Sequence, residues 1–169
     1  MQLDYIIQAF EVYTDGFGKA GSGEKCSMPK LKKKQEDFRG GGMLAPRKVS
    51  LGYEPFEFSA DLSAFDPQVL ALGRLFSGAK DIPFAIRGYM DGDQNSKHES
   101  VCQMRGEIVE CDPGDWEAGK KAMLKFKAAP SSIKLTIDGV VIWDIDIQNN
   151  VYAVGGQDPY IAVRAALGF

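Results

Sequence analysis

Residues 91–102, DGDQNSKHESVC, gather several groups that could do chemistry. Asp91, Asp93 and Asn95 begin with the spacing of a calcium loop, whose first, third and fifth positions supply oxygen ligands. The pattern then breaks. Ser96 stands where the loop's sharp turn needs glycine, and Cys102 stands where a bidentate glutamate closes the cage. A polar loop is the reading that remains. His98, the single histidine, lies in the same stretch, and sequence spacing assigns it no acid–base partner, so it reads as a surface histidine. Asp144 and Asp146 share a strand face and could pair as acids, but read as edge charges. Gly40-Gly41-Gly42 lacks the lysine and the serine or threonine of a phosphate loop. Cys26, Cys102 and Cys111 make no CxxC pair and no zinc spacing with His98. They are either free thiols in a reducing cytoplasm or bridges between chains, because an odd number cannot pair fully within one chain. If Cys102 and Cys111 share a strand, they stand roughly 30 Å apart at about 3.3 Å per residue, too far for a direct bond. No enzyme follows from one histidine and scattered acids, and no cofactor is implied.

The elements that must position these residues are mostly strands. The chain has 169 residues, 44% of them hydrophobic and 25% charged, with a net charge of -3. That fits a single domain over 1–169 with a core of its own, and it argues against a general nucleic-acid binder, which is normally basic. No apolar run approaches a membrane span, and the N-terminus does not read as a secretion signal. Phe56, Phe58, Ala60 and Leu62 alternate with Glu57, Ser59, Asp61 and Ser63. This predicts a strand with one dry face and one partly acidic wet face. Ala9 to Thr14 leads into an Asp15-Gly16 hairpin turn. Phe84, Ile86, Gly88 and Met90 mark another strand. Residues 100–111 read as a strand bulged at Gly106, and 122–128 as the strand after the Asp112-Pro113-Gly114-Asp115 turn.

Residues 133–147 form a hairpin about a two-residue Asp138-Gly139 turn. Its simplest register puts Ile133, Leu135, Ile137, Val140 and Ile142 on one face. Thr136, Val141, Trp143, Ile145 and Ile147 then lie on the other. With both faces apolar, the hairpin is either sandwiched inside the domain or covered by another subunit. A flanking helix is expected over about 66–77, capped by Asp66, with Pro67 at its first position and Gly78 ending it. A short C-terminal helix is expected over about 159–167, ending at Gly168. Tyr160, Val163 and Leu167 share a face there, and so short a helix must dock on something.

Residues 29–52, PKLKKKQEDFRGGGMLAPRKVSLG, fit poorly into such a body. A helix starting at Pro29 and ending at Gly40 would have only Leu31 and Phe38 as an apolar stripe. An extended arm would pair the charged strand with Lys48 to Leu51 across a glycine-rich tip, and it too lacks the apolar area to stand alone. Either way its support must come from outside the domain.

This stretch, with "RGEIVECDPGDWEAGKKAMLKFKA" and "IKLTIDGVVIWDIDIQNNVYAVGGQDPYIAVRAALGF" in the same order, resembles the major tail tube proteins of contractile-tailed bacteriophages, a family that includes R-type bacteriocin tubes. The resemblance runs from about residue 5 to 169. It implies a mainly β fold, a β-barrel or sandwich with one flanking helix and a short C-terminal helix, and a long β-hairpin protruding for assembly. It implies a structural virion protein rather than an enzyme. Six copies would form a ring, and stacked rings the inner tube that conducts DNA. The arm would reach a neighbour through Lys30, Lys32, Lys34, Glu36, Phe38, Gly40, Gly41, Gly42, Met43, Leu44, Val49 and Leu51, with Met43 and Leu44 anchoring in the neighbour's pocket. The implied partners are further copies of the chain, the sheath, the tape-measure protein, baseplate and tail-terminator proteins, and passing duplex DNA without specific binding. The implied place is the phage tail, after assembly in the host cytoplasm. The pore wall should avoid binding phosphate, and Glu36, Asp37, Glu57 and Asp61 are its candidate residues. Cys26, Cys102 and Cys111 are candidates for bridges between subunits. A DNA-free bacteriocin tube is the close variant, and a monomeric β-sandwich binding module the more distant one.

Overall fold

The computed structural model describes residues 5–14, 17–18, 23–63, 67, 70, 81–92 and 96–168. Its strands are β1 (Ile6–Thr14), β2 (Phe17–Gly18), β3 (Gly23–Ser27), β4 (Lys33–Phe38), β5 (Arg47–Tyr53), β6 (Phe58–Leu62), β7 (Ile82–Asp91), β8 (Lys97–Asp112), β9 (Leu124–Ile137), β10 (Val140–Asp146) and β11 (Val151–Val154). They are followed by helix α1 (Ile161–Leu167). All but β4 and β5 join one antiparallel sheet in the order β11-β10-β9-β8-β7-β1-β2, with β6 and β3 branching from β9. The sheet folds over itself as a sandwich and does not close into a barrel.

The fold-over is made by the long strands β8 and β9. One edge of β9 follows β8 along its length. Its other edge pairs with β6 from Leu124 to Ala128 and with β10 from Ser132 to Ile137. Pro130, which has no N–H to donate, sits where the neighbour changes. Opposite it, the β8–β9 register shifts between Arg105 and Gly106, the bulge the sequence anticipates. A Cβ on Gly106 would stand 2.3 Å from the Ala129 carbonyl oxygen, so only glycine admits this approach. The strand expected over 122–128 begins at Leu124 and runs on through 133–137 as one bent strand.

Alternation sets the core. Phe58, Ala60 and Leu62 of β6, with Leu124 and Phe126 of β9, face Val12, Phe84, Ile86, Met104 and Ile133 of the opposing layer, all buried. Phe58 lies 5.7 Å from Phe126 edge-on and 6.0 Å from Phe84, ring to ring. This aromatic cluster ties β6, β7 and β9 together, and such pairs add about 0.5–1.5 kcal/mol each beyond burial.

The hairpin register departs from the expectation. Asp138 and Gly139 take positive φ, as a two-residue turn requires. A bulge between Val141 and Trp143 then sets Trp143 opposite Leu135 and Ile145 opposite Ile133. Cross-strand partners share a face, so Ile145 turns into the core, where it is buried. The inner face is sandwiched, while Val141 on the outer face stays 40% exposed.

Helix α1 ends at Gly168 in the left-handed conformation, and none of its residues is buried. It is held by polar contacts instead. The Asp158 carboxylate accepts from the Tyr160 N–H at 2.9 Å and pairs with Arg164 at 2.7 Å. Arg164 also donates to the Asn150 carbonyl at 2.7 Å. Of the helix expected over about 66–77, Pro67 and Leu70 are helical, and the rest lies outside the described residues, as does the Asp15-Gly16 turn between β1 and β2.

Candidate functional site

Residues 33–53 form a ribbon of two strands that, among the described residues, pair only with each other. The extended arm is the conformation adopted, and the helix alternative for residues 29–39 is not. Glu36 lies opposite Val49, Asp37 opposite Lys48, and Phe38 opposite Arg47. Alternation therefore gives the ribbon two unlike faces. Lys34, Glu36, Phe38, Arg47, Val49 and Leu51 share one, where Phe38 and Leu51 are more than half exposed. Gln35, Asp37, Lys48 and Ser50 make the other wholly polar. Glu36 and Asp37, both candidates for the pore wall, thus point to opposite sides.

The tip has its own order. The Met43 N–H donates to the Gly40 carbonyl, and the Gly40 N–H to the Met43 sulfur, both at 3.1 Å. Gly42, at φ 92°, supplies the left-handed turn. Met43 folds back over Gly40, while Leu44 is 100% exposed. Gly41 stands in open space.

The base of the ribbon is anchored. The Glu54 N–H donates to the Lys32 carbonyl at 2.8 Å, and the two side chains pair at 2.9 Å. Lys30 is exposed just outside this contact, after the buried Pro29. Tyr53 stacks on Tyr152 at 4.4 Å, with Tyr160 completing the cluster at 6.1–6.4 Å. Burial first, then the Tyr53 hydroxyl, pushes the Tyr152 phenol up to about 12. Beside these rings an apolar pocket opens, floored by Phe56 and Ile145.

The wet face that carries Asp61 is mixed in charge rather than acidic. Asp61 lies opposite Lys25 on one side and Lys125 on the other, and Lys125 lies opposite Asp112. One row along, Lys127 pairs with Glu110 at 2.6 Å. Glu57 is exposed at the end of this lattice. The outer face of the other layer is balanced in the same way, with Arg87 opposite Glu11, Lys134 opposite Asp144, and Arg105 bound to Asp81 at 2.8 Å. Sequence reading sees Glu57 and Asp61 but not the lysines, which arrive from two other strands.

The thiols differ. Cys102 is buried in the core, and burial, with Cys26 adding to it, pushes its thiol up to about 12. In the single chain it is the least accessible of the three thiols. Cys26 and Cys111 are half-buried, and burial raises both thiols. Cys102 and Cys111 do lie on one strand.

His98 has a partner that spacing could not reveal. Its Nδ1 lies 2.6 Å from the Asp138 carboxylate, forty residues on in the β9–β10 turn, and its ring stacks on Tyr5. The Glu99 N–H and then the His98 ring hold the Asp138 carboxyl below the usual aspartate value. The contact staples a turn to β8. Asp146 is occupied locally, accepting from the N–H groups of Gln148 and Asn149, and Asp144 faces Lys134. Residues 93–95 of the calcium-like loop lie outside the described residues. Among the described residues, no cluster of three or more His, Cys, Asp or Glu side chains could hold a metal.

The sequence profile of phage tail tube protein FII matches residues 4–168. The tail tube protein of Escherichia phage P2 is 27% identical over 171 residues, covering 99% of both chains. The major tail tube protein of Serratia phage KSP20 is 26% identical over 161 residues, covering 95% of this chain and 93% of that one. Solved structures share the fold at low identity. A chain in the sheath–tube complex of an extracellular contractile injection system, in its extended state, matches with a TM-score of 0.55 at 8% identity. It covers 75% of this chain and 87% of its own. A chain of the anti-feeding prophage baseplate matches with a TM-score of 0.55 at 10% identity, over 75% of this chain and 90% of its own.

Proposed function

The chain belongs to the phage tail tube protein FII family, and we propose that it builds the inner tube of a contractile tail by offering its β4–β5 ribbon to identical neighbours. The observation that carries this reading is the ribbon itself. It pairs with no other strand among the described residues, and it leaves Phe38, Leu51 and Leu44 in solvent. A ribbon of this kind is marginal alone and gains a partner when the next copy covers the face that carries Phe38, Val49 and Leu51. Donor and acceptor surfaces then differ, so the contact repeats and closes into rings or extends along an axis. Six copies per ring, stacked rings, a sheath outside, a tape-measure protein within, and baseplate and terminator proteins at the ends complete the assembly. The tube forms in the host cytoplasm and resides in the virion.

Passage of DNA follows from charge. Duplex DNA binds basic walls by releasing counterions. On both outer faces of this sandwich the cations named above have carboxylates beside them, so either face would let phosphates slide without holding them. With the Phe38–Leu51 face of the ribbon covered, Asp37 rather than Glu36 lies on the water side. The names of the two sequence relatives favour a phage tail over a DNA-free injection tube.

Electron microscopy of the purified chain at high concentration tests the reading. Tubes are expected from the intact chain, and folded subunits that fail to polymerise from a chain lacking residues 40–46. A solitary particle from the intact chain, at every concentration, would reject it.

A further inference from the structure

We propose that the apolar pocket at the base of the ribbon receives the ribbon tip of a second copy of this chain, so that tip and pocket are the two halves of one head-to-tail joint. This rests on the tube reading and names the contact it needs. The pocket, ≈ 410 Å³, is floored by Phe56 and Ile145 and walled by Tyr53, Tyr152 and Tyr160. Ile147 stands in its lining, half exposed. Asp146, capping the Gln148 and Asn149 N–H groups, and Glu54, paired with Lys32, also line it and bring carboxylates to its rim. The tip matches this chemistry. Leu44 is wholly exposed beside Met43, and from Phe38 to Leu51 the charged residues are Arg39, Arg47 and Lys48, with no acid among them. An aliphatic plug flanked by cations meets an apolar socket that carries carboxylates. Such complementarity steers approach and fixes register.

The occupant cannot be the chain's own tip. The pocket begins at Tyr53, where β5 ends, and the tip precedes Arg47, where β5 starts. Six strand steps of about 3.3 Å hold them roughly 20 Å apart. A socket at one end of the paired ribbon and a plug at the other, on one polypeptide, join only between copies. Because the two patches differ, the joint propagates instead of stopping at a pair.

Cross-linking tests this. Chains carrying Leu44→Cys and chains carrying Ile147→Cys are mixed in equal amounts, assembled and oxidised. A disulfide-linked dimer is expected on non-reducing gels, and neither variant alone should give it. Cys26, Cys102 and Cys111 are present in all three samples, so they cannot account for the difference. Tubes that form from the mixture without that dimer would overturn the joint and leave the tube reading standing. If the intact chain forms no tubes, both fall together. A second pair guards against a trivial failure. Leu44→Asp and Ile147→Asp, each checked for native circular dichroism, should each abolish tubes. Mixed, they should sediment as two-chain complexes that do not elongate. Normal tubes from Ile147→Asp would also overturn the proposal.

Discussion

The Phe58–Phe84–Phe126 cluster and the β4–β5 ribbon are built from the same alternation and end in opposite conditions. In the cluster, every second side chain is buried against another layer of the same molecule. In the ribbon, the equivalent residues Phe38 and Leu51 face solvent. The contrast separates two kinds of apolar surface. One is consumed in making a subunit, and the other, on the proposed reading, is kept for making an assembly. Stability measured on single chains should report the first and be nearly blind to the second.

The largest test of that division is Phe58→Ala. Removing a fully buried ring should cost about 3–5 kcal/mol, seen as a drop in the urea midpoint of the isolated chain. Gly106→Ala comes next. Its new Cβ would meet the Ala129 carbonyl, and relieving a backbone clash at the fold-over should cost about 1–3 kcal/mol, again in the isolated chain. Either variant unfolding like the parent would mean the sandwich is not held together where its layers meet.

Acid should then loosen particular corners. In Asp158, burial pushes the carboxyl up, but Arg164 and the N–H groups of Tyr160 and Tyr152 outweigh it, leaving the value below ordinary. Asp138 is lowered by the Glu99 N–H and by His98. A carboxyl whose folded value is depressed adds stability above its unfolded value, about pH 3.9. That stability is lost as pH falls through the lower folded value. Amide exchange near α1 and the β9–β10 turn should therefore rise below about pH 4, ahead of exchange in β6. Uniform exchange across these regions would contradict it. The smallest effect on the fold is Leu44→Ser. It should leave the urea midpoint within about 0.5 kcal/mol while shortening or abolishing tubes under the microscope. A shift beyond that would place Leu44 in the subunit's own stability.

How far the sequence reveals this molecule depends on the distance over which each feature is decided. Local features are legible. Phe56 to Leu62 alternates as drawn, Asp138-Gly139 turns as drawn, and Gly168 ends its helix. The ribbon is also legible as a segment with nothing at home to bury. What escapes is decided across strands. One extra residue between Val141 and Trp143 sends Ile145 inward, and no local pattern announces it. Asp61 reads as acidic until Lys25 and Lys125 arrive on either side. His98 looks unpartnered because Asp138 is forty residues away. The pocket beside Tyr53 is assembled from residues near positions 55, 146, 152 and 160, and no motif links them.

The charges along the ribbon carry a further consequence. Lys33, Lys34, Glu36, Asp37, Arg47 and Lys48 crowd a two-stranded sheet whose outer edges pair with no other described strand. Bare edges of that kind invite indiscriminate stacking into fibrils, and dense ionic decoration deters it. The same charges that leave the ribbon soluble thus bias it against sticking edge to edge at random, and favour contacts made through its side chains.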